Sequence, residues 1–116
     1  MRFLVLLASP AHFDTWDAAD EEARERAFAA YRAFADGVRS RGSIVIGDAL
    51  HRPEEARTVR PGADRPVTDG PFAETVEQLG GFYLIDVPGL DAAVELAALL
   101  PAEYSVEVRP TIEVDS

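Results

Sequence analysis

Two segments of this chain are apolar in both phases of a strand. Residues 3–8 read Phe-Leu-Val-Leu-Leu-Ala, and residues 82–87 read Phe-Tyr-Leu-Ile-Asp-Val. A β-strand sends successive side chains to opposite faces. A strand apolar in both phases therefore belongs inside a sheet that is covered on both sides. Both segments are predicted to be central strands. At 116 residues the chain has the length of one domain, 1–116. Folding at that size buries about two-thirds of the surface the unfolded chain exposes.

The remaining elements fall into place around these strands. Residues 20–41 are predicted to form a long helix, with Ala23, Ala27, Ala30, Tyr31, Phe34 and Val38 on one stripe at helical spacing. Asp17 or Asp20 caps its start, and Arg39, Arg41 and Gly42 mark its end. Residues 9–19 read as a polar loop. Ile44-Val45-Ile46 opens a second strand. Residues 57–60 and 67–69, joined by Pro-Gly-Ala-Asp-Arg-Pro, read as a small hairpin. Residues 90–100 form a short apolar helix stopped by Pro101. Residues 104–114 alternate, with Tyr104, Val106, Val108, Ile112 and Val114 on one face. Pro110 puts that strand at a sheet edge. The order is β-α-β-hairpin-β-α-β. It predicts an α+β, ferredoxin-like βαββαβ antiparallel sheet with a small inserted β-hairpin and strand order 4-1-3-2. Two helices cover one face, so the apolar second face predicts a homodimer.

Charge and composition exclude several chemistries. Eleven basic and 21 acidic residues give a net charge of −10. No nucleic-acid partner is expected, because phosphate binding needs a basic footprint, and no anionic membrane surface, for the same reason. There is no Cys and no Lys, which removes thiol catalysis and Schiff-base chemistry. His12 and His51 are the only histidines, too few for a three-histidine zinc site in one protomer. Neither a metal nor a cofactor is expected. No stretch is long and apolar enough to span a bilayer, and the apolar run at residues 3–8 is too short for a secretory signal. The expected location is cytoplasmic.

Residues 67–87 read VTDGPFAETVEQLGGFYLIDV. This resembles the DGPF subgroup of the YCII-related proteins, and the likeness extends to TVR at 58–60, GDAL at 47–50 and VEVRP at 106–110. Val76 departs from the Lys common in that family. The resemblance implies a dimeric α+β barrel whose protomers pack sheet to sheet. Some members use a His that starts the first helix and an Asp that ends the second for proton transfer. Here residues 20–22 hold no His and Leu99-Leu100-Pro101 holds no Asp, so that pair is not carried over. The resemblance also implies a regulatory association with an extracytoplasmic-function sigma factor as one partner.

Candidate site residues follow from chemistry and topology. The loops after the first and second strands emerge at one end of a split βαβ fold. Topology therefore allows His12, His51, Asp69, Glu74 and Tyr104 to gather at one mouth. Asp69 is a candidate general base, while turn chemistry alone explains an Asp before Gly-Pro. His51 is a candidate proton shuttle, and Glu74 a candidate acid. Arg109 is a candidate clamp for a substrate carboxylate, or a salt-bridge partner on a polar face. Tyr31, Tyr83 and Tyr104 are candidate pocket residues, with hydrogen-bonded core aromatics as the simpler alternative. His12 reads as a loop residue. Phe72 is expected to anchor the turn as a buried ring. The acids, His and Arg together suit a small-molecule binder or proton-transfer enzyme of isomerase or lyase type, with its pocket between dimer-packed sheets. Whether the chain is an enzyme stays open at this point.

Overall fold

The computed structural model describes residues 1–73 and 76–114. In chain order the elements are β1 (Arg2–Pro10), α1 (His12–Ala18), α2 (Glu21–Arg41), β2 (Ser43–Ala49), β3 (Arg57–Val59), β4 (Val67–Asp69), β5 (Glu77–Asp86), α3 (Leu90–Ala97) and β6 (Ser105–Pro110). The four long strands form one sheet in the order β2-β5-β1-β6, with all neighbours antiparallel. The two strands apolar in both phases, β1 and β5, are the central pair. β3 and β4 form a separate two-stranded hairpin. The fold is mixed α+β and ferredoxin-like.

Burial alternates along β1. Phe3, Val5 and Leu7 are buried, and Leu4 and Leu6 are half-buried. The first set meets Phe34 and Val38 of α2, and Ala93, Leu96 and Leu100 at α3, in one core cluster. α2 starts at Asp20, whose carboxylate accepts the Ala23 N–H at 2.8 Å, an N-cap. Glu22 and Arg26 pair one turn apart at 3.2 Å. Gly37 runs through α2 because α3 packs there: a Cβ would lie 2.8 Å from Leu96.

Several elements differ from the sequence reading. Residues 9–19 are not a loop: β1 continues to Pro10 and α1 follows. At seven residues α1 is too short to show a helical period. β5 begins at Glu77, so Gly80 and Gly81 lie inside a strand instead of ahead of it. α3 ends at Ala97, and tight turns carry the chain on to Leu100. β6 ends at Pro110, where its partner β1 runs out. Beyond it, Ile112 and Val114 are exposed.

The Asp-Gly-Pro-Phe turn is also built differently. Phe72 is 80 % exposed and anchors nothing. Among the described residues the hairpin forms its own two-stranded sheet, and its apolar side chains Val59 and Val67 are exposed like Phe72. Its positions are held by polar contacts: the Gly70 N–H donates to Ala56 O at 2.8 Å, and Thr58 Oγ1 donates to Gly70 O at 2.6 Å. The Asp69 carboxylate faces the Arg57 guanidinium at 3.2 Å in place of the expected backbone cap.

Candidate functional site

A cavity of about 440 Å³ opens between α1, α2 and the end of the sheet formed by β2 and β5. Pockets of this size hold small organic ligands. The cavity lies on the helix-covered side of the sheet, not on the open face where sheets would pack. The walls are mostly aromatic: Phe13 and Trp16 from α1, Phe28 and Tyr31 from α2, Tyr83 from β5, and Tyr104 just before β6.

Glycines make the room. A Cβ on Gly80 would sit 2.6 Å from Nε2 of His12, and one on Gly47 2.5 Å from the Tyr83 ring. Bare backbone at these two strand positions therefore lets the imidazole and the phenol lie against the sheet.

Two polar groups of the cavity, His12 and Tyr104, are hydrogen-bonded to each other. The Tyr104 hydroxyl lies 2.8 Å from Nδ1 of His12. Tyr31 lines the same cavity, and its hydroxyl and that of Tyr104 influence one another's acidity. Burial lowers the His12 pKa from its usual 6.5, because desolvation disfavours the cation. Burial likewise raises all three tyrosines, and for Tyr31 the neighbouring Tyr104 adds to it. At neutral pH the imidazole is therefore a free base and the phenols keep their protons.

The lowered pKa has a measurable sign. The unfolded chain binds a proton at His12 more readily than the folded one. The contribution to stability is full above the unfolded value near 6.5 and is lost as pH falls toward the folded value. The melting temperature should decline as pH drops from 7.5 to 5, and the decline should be smaller in His12→Gln. Equal slopes for both proteins would refute a neutral, partly buried imidazole.

Three of the seven candidates, Tyr31, Tyr83 and Tyr104, line the cavity. His51 and Asp69 are exposed, and neither is on its wall. Arg109 pairs with Glu107 along β6. Glu74 lies outside the described residues. The predicted single mouth thus brings together His12 and Tyr104 and leaves His51 and Asp69 off the cavity wall. His12, read as a loop residue, is the group that sequence reasoning missed. It starts the first helix, because α1 precedes the long helix. Its partner from beyond α3 is Tyr104, not an Asp. No described cluster of three or more His, Asp or Glu side chains is placed to hold a metal.

Relatives are informative about lineage and silent about chemistry. Over 60 residues, 47 % of this chain and 48 % of the other, the sequence is 52 % identical to an uncharacterized protein of Rhizobium meliloti (strain 1021). The aligned region thus spans about half the length of that relative. Among the described residues, no helix is long and apolar enough to cross a membrane. The YCII-related domain matches residues 1–114, a span that includes every strand and all three helices described above, so the chain belongs to the YCII-related family.

Proposed function

We propose that the protein binds a small, largely apolar molecule in the cavity between α1, α2 and the sheet, and moves a proton on it. One observation carries this reading: His12 and Tyr104, hydrogen-bonded to each other at 2.8 Å, both line the same aromatic-walled cavity. A proton leaves Nε2 of His12 for an acceptor atom of the ligand. Nδ1 takes the Tyr104 proton, and Tyr104 is refilled from a donor atom of the ligand. The protein ends with every proton restored and one imidazole tautomer exchanged. The net result on the ligand is an isomerisation by proton relocation, which requires no cofactor.

The test is a fragment screen by ligand-observed NMR, followed by deuterium incorporation from D2O into each bound fragment that carries an acidic C–H bond. Gly80→Ala should weaken binding roughly tenfold or more, because the new methyl drives the imidazole into the cavity. Tyr104→Phe should keep binding and slow deuterium incorporation ~100-fold or more, the lower range for a general acid–base group. Asp69→Ala should change neither. Unaltered exchange in Tyr104→Phe would sink the proton-transfer reading. Unaltered binding in Gly80→Ala would sink the choice of cavity.

We further propose that the open sheet face is covered by a second copy of the chain. The strand register puts Leu4 beside Leu84 and Leu6 beside Phe82 on that face, with Ile46 opposite Leu84. Ile46 is 48 % exposed in the single chain. An apolar face of this kind is rarely left wet. Sedimentation at micromolar concentration should give twice the 12.6 kDa of one chain. Ile46→Glu should shift the balance toward monomer, and a wild-type monomer would refute the proposal.

A further inference from the structure

Helix α1 contributes His12, Phe13 and Trp16 to the cavity wall, yet none of its residues is buried. Such a short helix has little stability of its own. Both of its ends are suited to bending. Ala11 precedes it at φ 53°, ψ 34°, a left-handed conformation that costs a non-glycine residue energy. Ala19 follows it in an extended conformation, before the capped start of α2. Trp16 stays close to that second bend: its carbonyl accepts from Arg24 Nη2 at 3.0 Å, and the Arg24 guanidinium lies over its ring.

The outer side of α1 is tied to a different part of the chain. Arg52, in the segment after β2, pairs with Asp14 and with Asp17. Its guanidinium also lies 5.6 Å from the centre of the Phe13 ring. Asp14 and Asp17 are one turn apart on the helix, so a single cation spans them. The cavity wall runs directly beneath, through Phe13 and Leu50.

We propose that α1 is a hinged lid over the cavity, bending at Ala11 and Ala19, with Arg52 as its latch. This rests on the cavity being the ligand site. Closing the lid sets His12 against Tyr104 and so completes the proton-carrying pair; opening it separates them and admits ligand. The latch consists of exposed ion pairs, which salt weakens. Exchange between closed and open forms is therefore sensitive to ionic strength.

Amide hydrogen exchange of the ligand-free, full-length protein tests this, with acrylamide quenching of Trp16, the one tryptophan, as a second readout. Raising NaCl from 20 to 500 mM should speed exchange across residues 12–18 and leave β1 and β5 unchanged. Arg52→Gln should speed the same amides roughly fivefold at low salt and abolish their salt response. The double variant Asp14→Asn/Asp17→Asn should reproduce it from the other side of the latch. Unchanged exchange in both variants, or acceleration spread through the whole sheet, would overturn the proposal. The two readings also fail separately. Fragments that bind while α1 ignores Arg52 defeat only the lid. A responsive α1 in a protein that binds no fragment defeats the ligand site.

Discussion

Phe34→Ala should lower the unfolding free energy by about 3–5 kcal/mol, the range for removing a core phenylalanine. Phe34 is fully buried between α2 and the sheet. Its ring centre lies 4.7 Å from that of Tyr83, and it belongs to the same cluster as Phe3, Val5 and Ile85. Close packing on every side limits how far neighbours can collapse into the space. Phe72→Ala provides the contrast. That ring is 80 % exposed, so its loss should stay within ~0.5 kcal/mol, as for ordinary surface changes. Urea titrations of the two variants beside wild type decide the matter. Similar midpoints for both variants would contradict the burial of one and the exposure of the other.

Gly42→Ala should be the most damaging single-methyl addition. A Cβ there would sit 1.9 Å from the carbonyl oxygen of Asp86 and 3.2 Å from the Cα of Val87. Both are backbone atoms, so no side chain can swing aside. Gly42 caps α2, with its N–H donating to Val38 O at 2.7 Å, and leads directly into β2. The end of the helix must lift away from β5, breaking both the cap and the start of the β2–β5 ladder. Overpacking of this kind costs about 1–3 kcal/mol and occasionally more, and the upper end is expected here. A variant as stable as wild type would show that the helix end is free to move.

Much of the fold was legible in the chain because it is written in periodicity. The two-phase apolarity of residues 3–8 and 82–87 located the central strands. The stripe from Ala23 to Val38 located the long helix, and the Asp20 cap falls where it was expected. Pro110 marked an edge strand. What failed to show depends on distance or on absence. His12 acquires meaning only from Tyr104, 92 positions away. Gly80 matters for a side chain it lacks. α1 is shorter than two helical turns. Phe72 failed as an anchor because burying a large aromatic needs a core to enter, and the hairpin has none: its own Val59 and Val67 are exposed as well. Of the candidate residues, Tyr31, Tyr83 and Tyr104 line the cavity, because large aromatics pack where elements meet, whereas the chemical type of an acid or a His carries no geometry to place it.

The position of β1 has a kinetic consequence. Its two hydrogen-bonding partners arrive late in the chain: Leu4 faces Leu84 on one side and Arg109 on the other. Ribosomes add about 5–20 residues per second, so the nascent segment waits several seconds with its apolar side chains unmatched. During that interval only the helices and the hairpin have local partners. Sheets closed by such distant pairings fold slowly, on the order of milliseconds to seconds. Refolding should therefore be limited by the docking of β5 and β6 onto the first strand, with helical signal appearing earlier. A waiting apolar strand is also the segment that a chaperone or an aggregating neighbour would meet first.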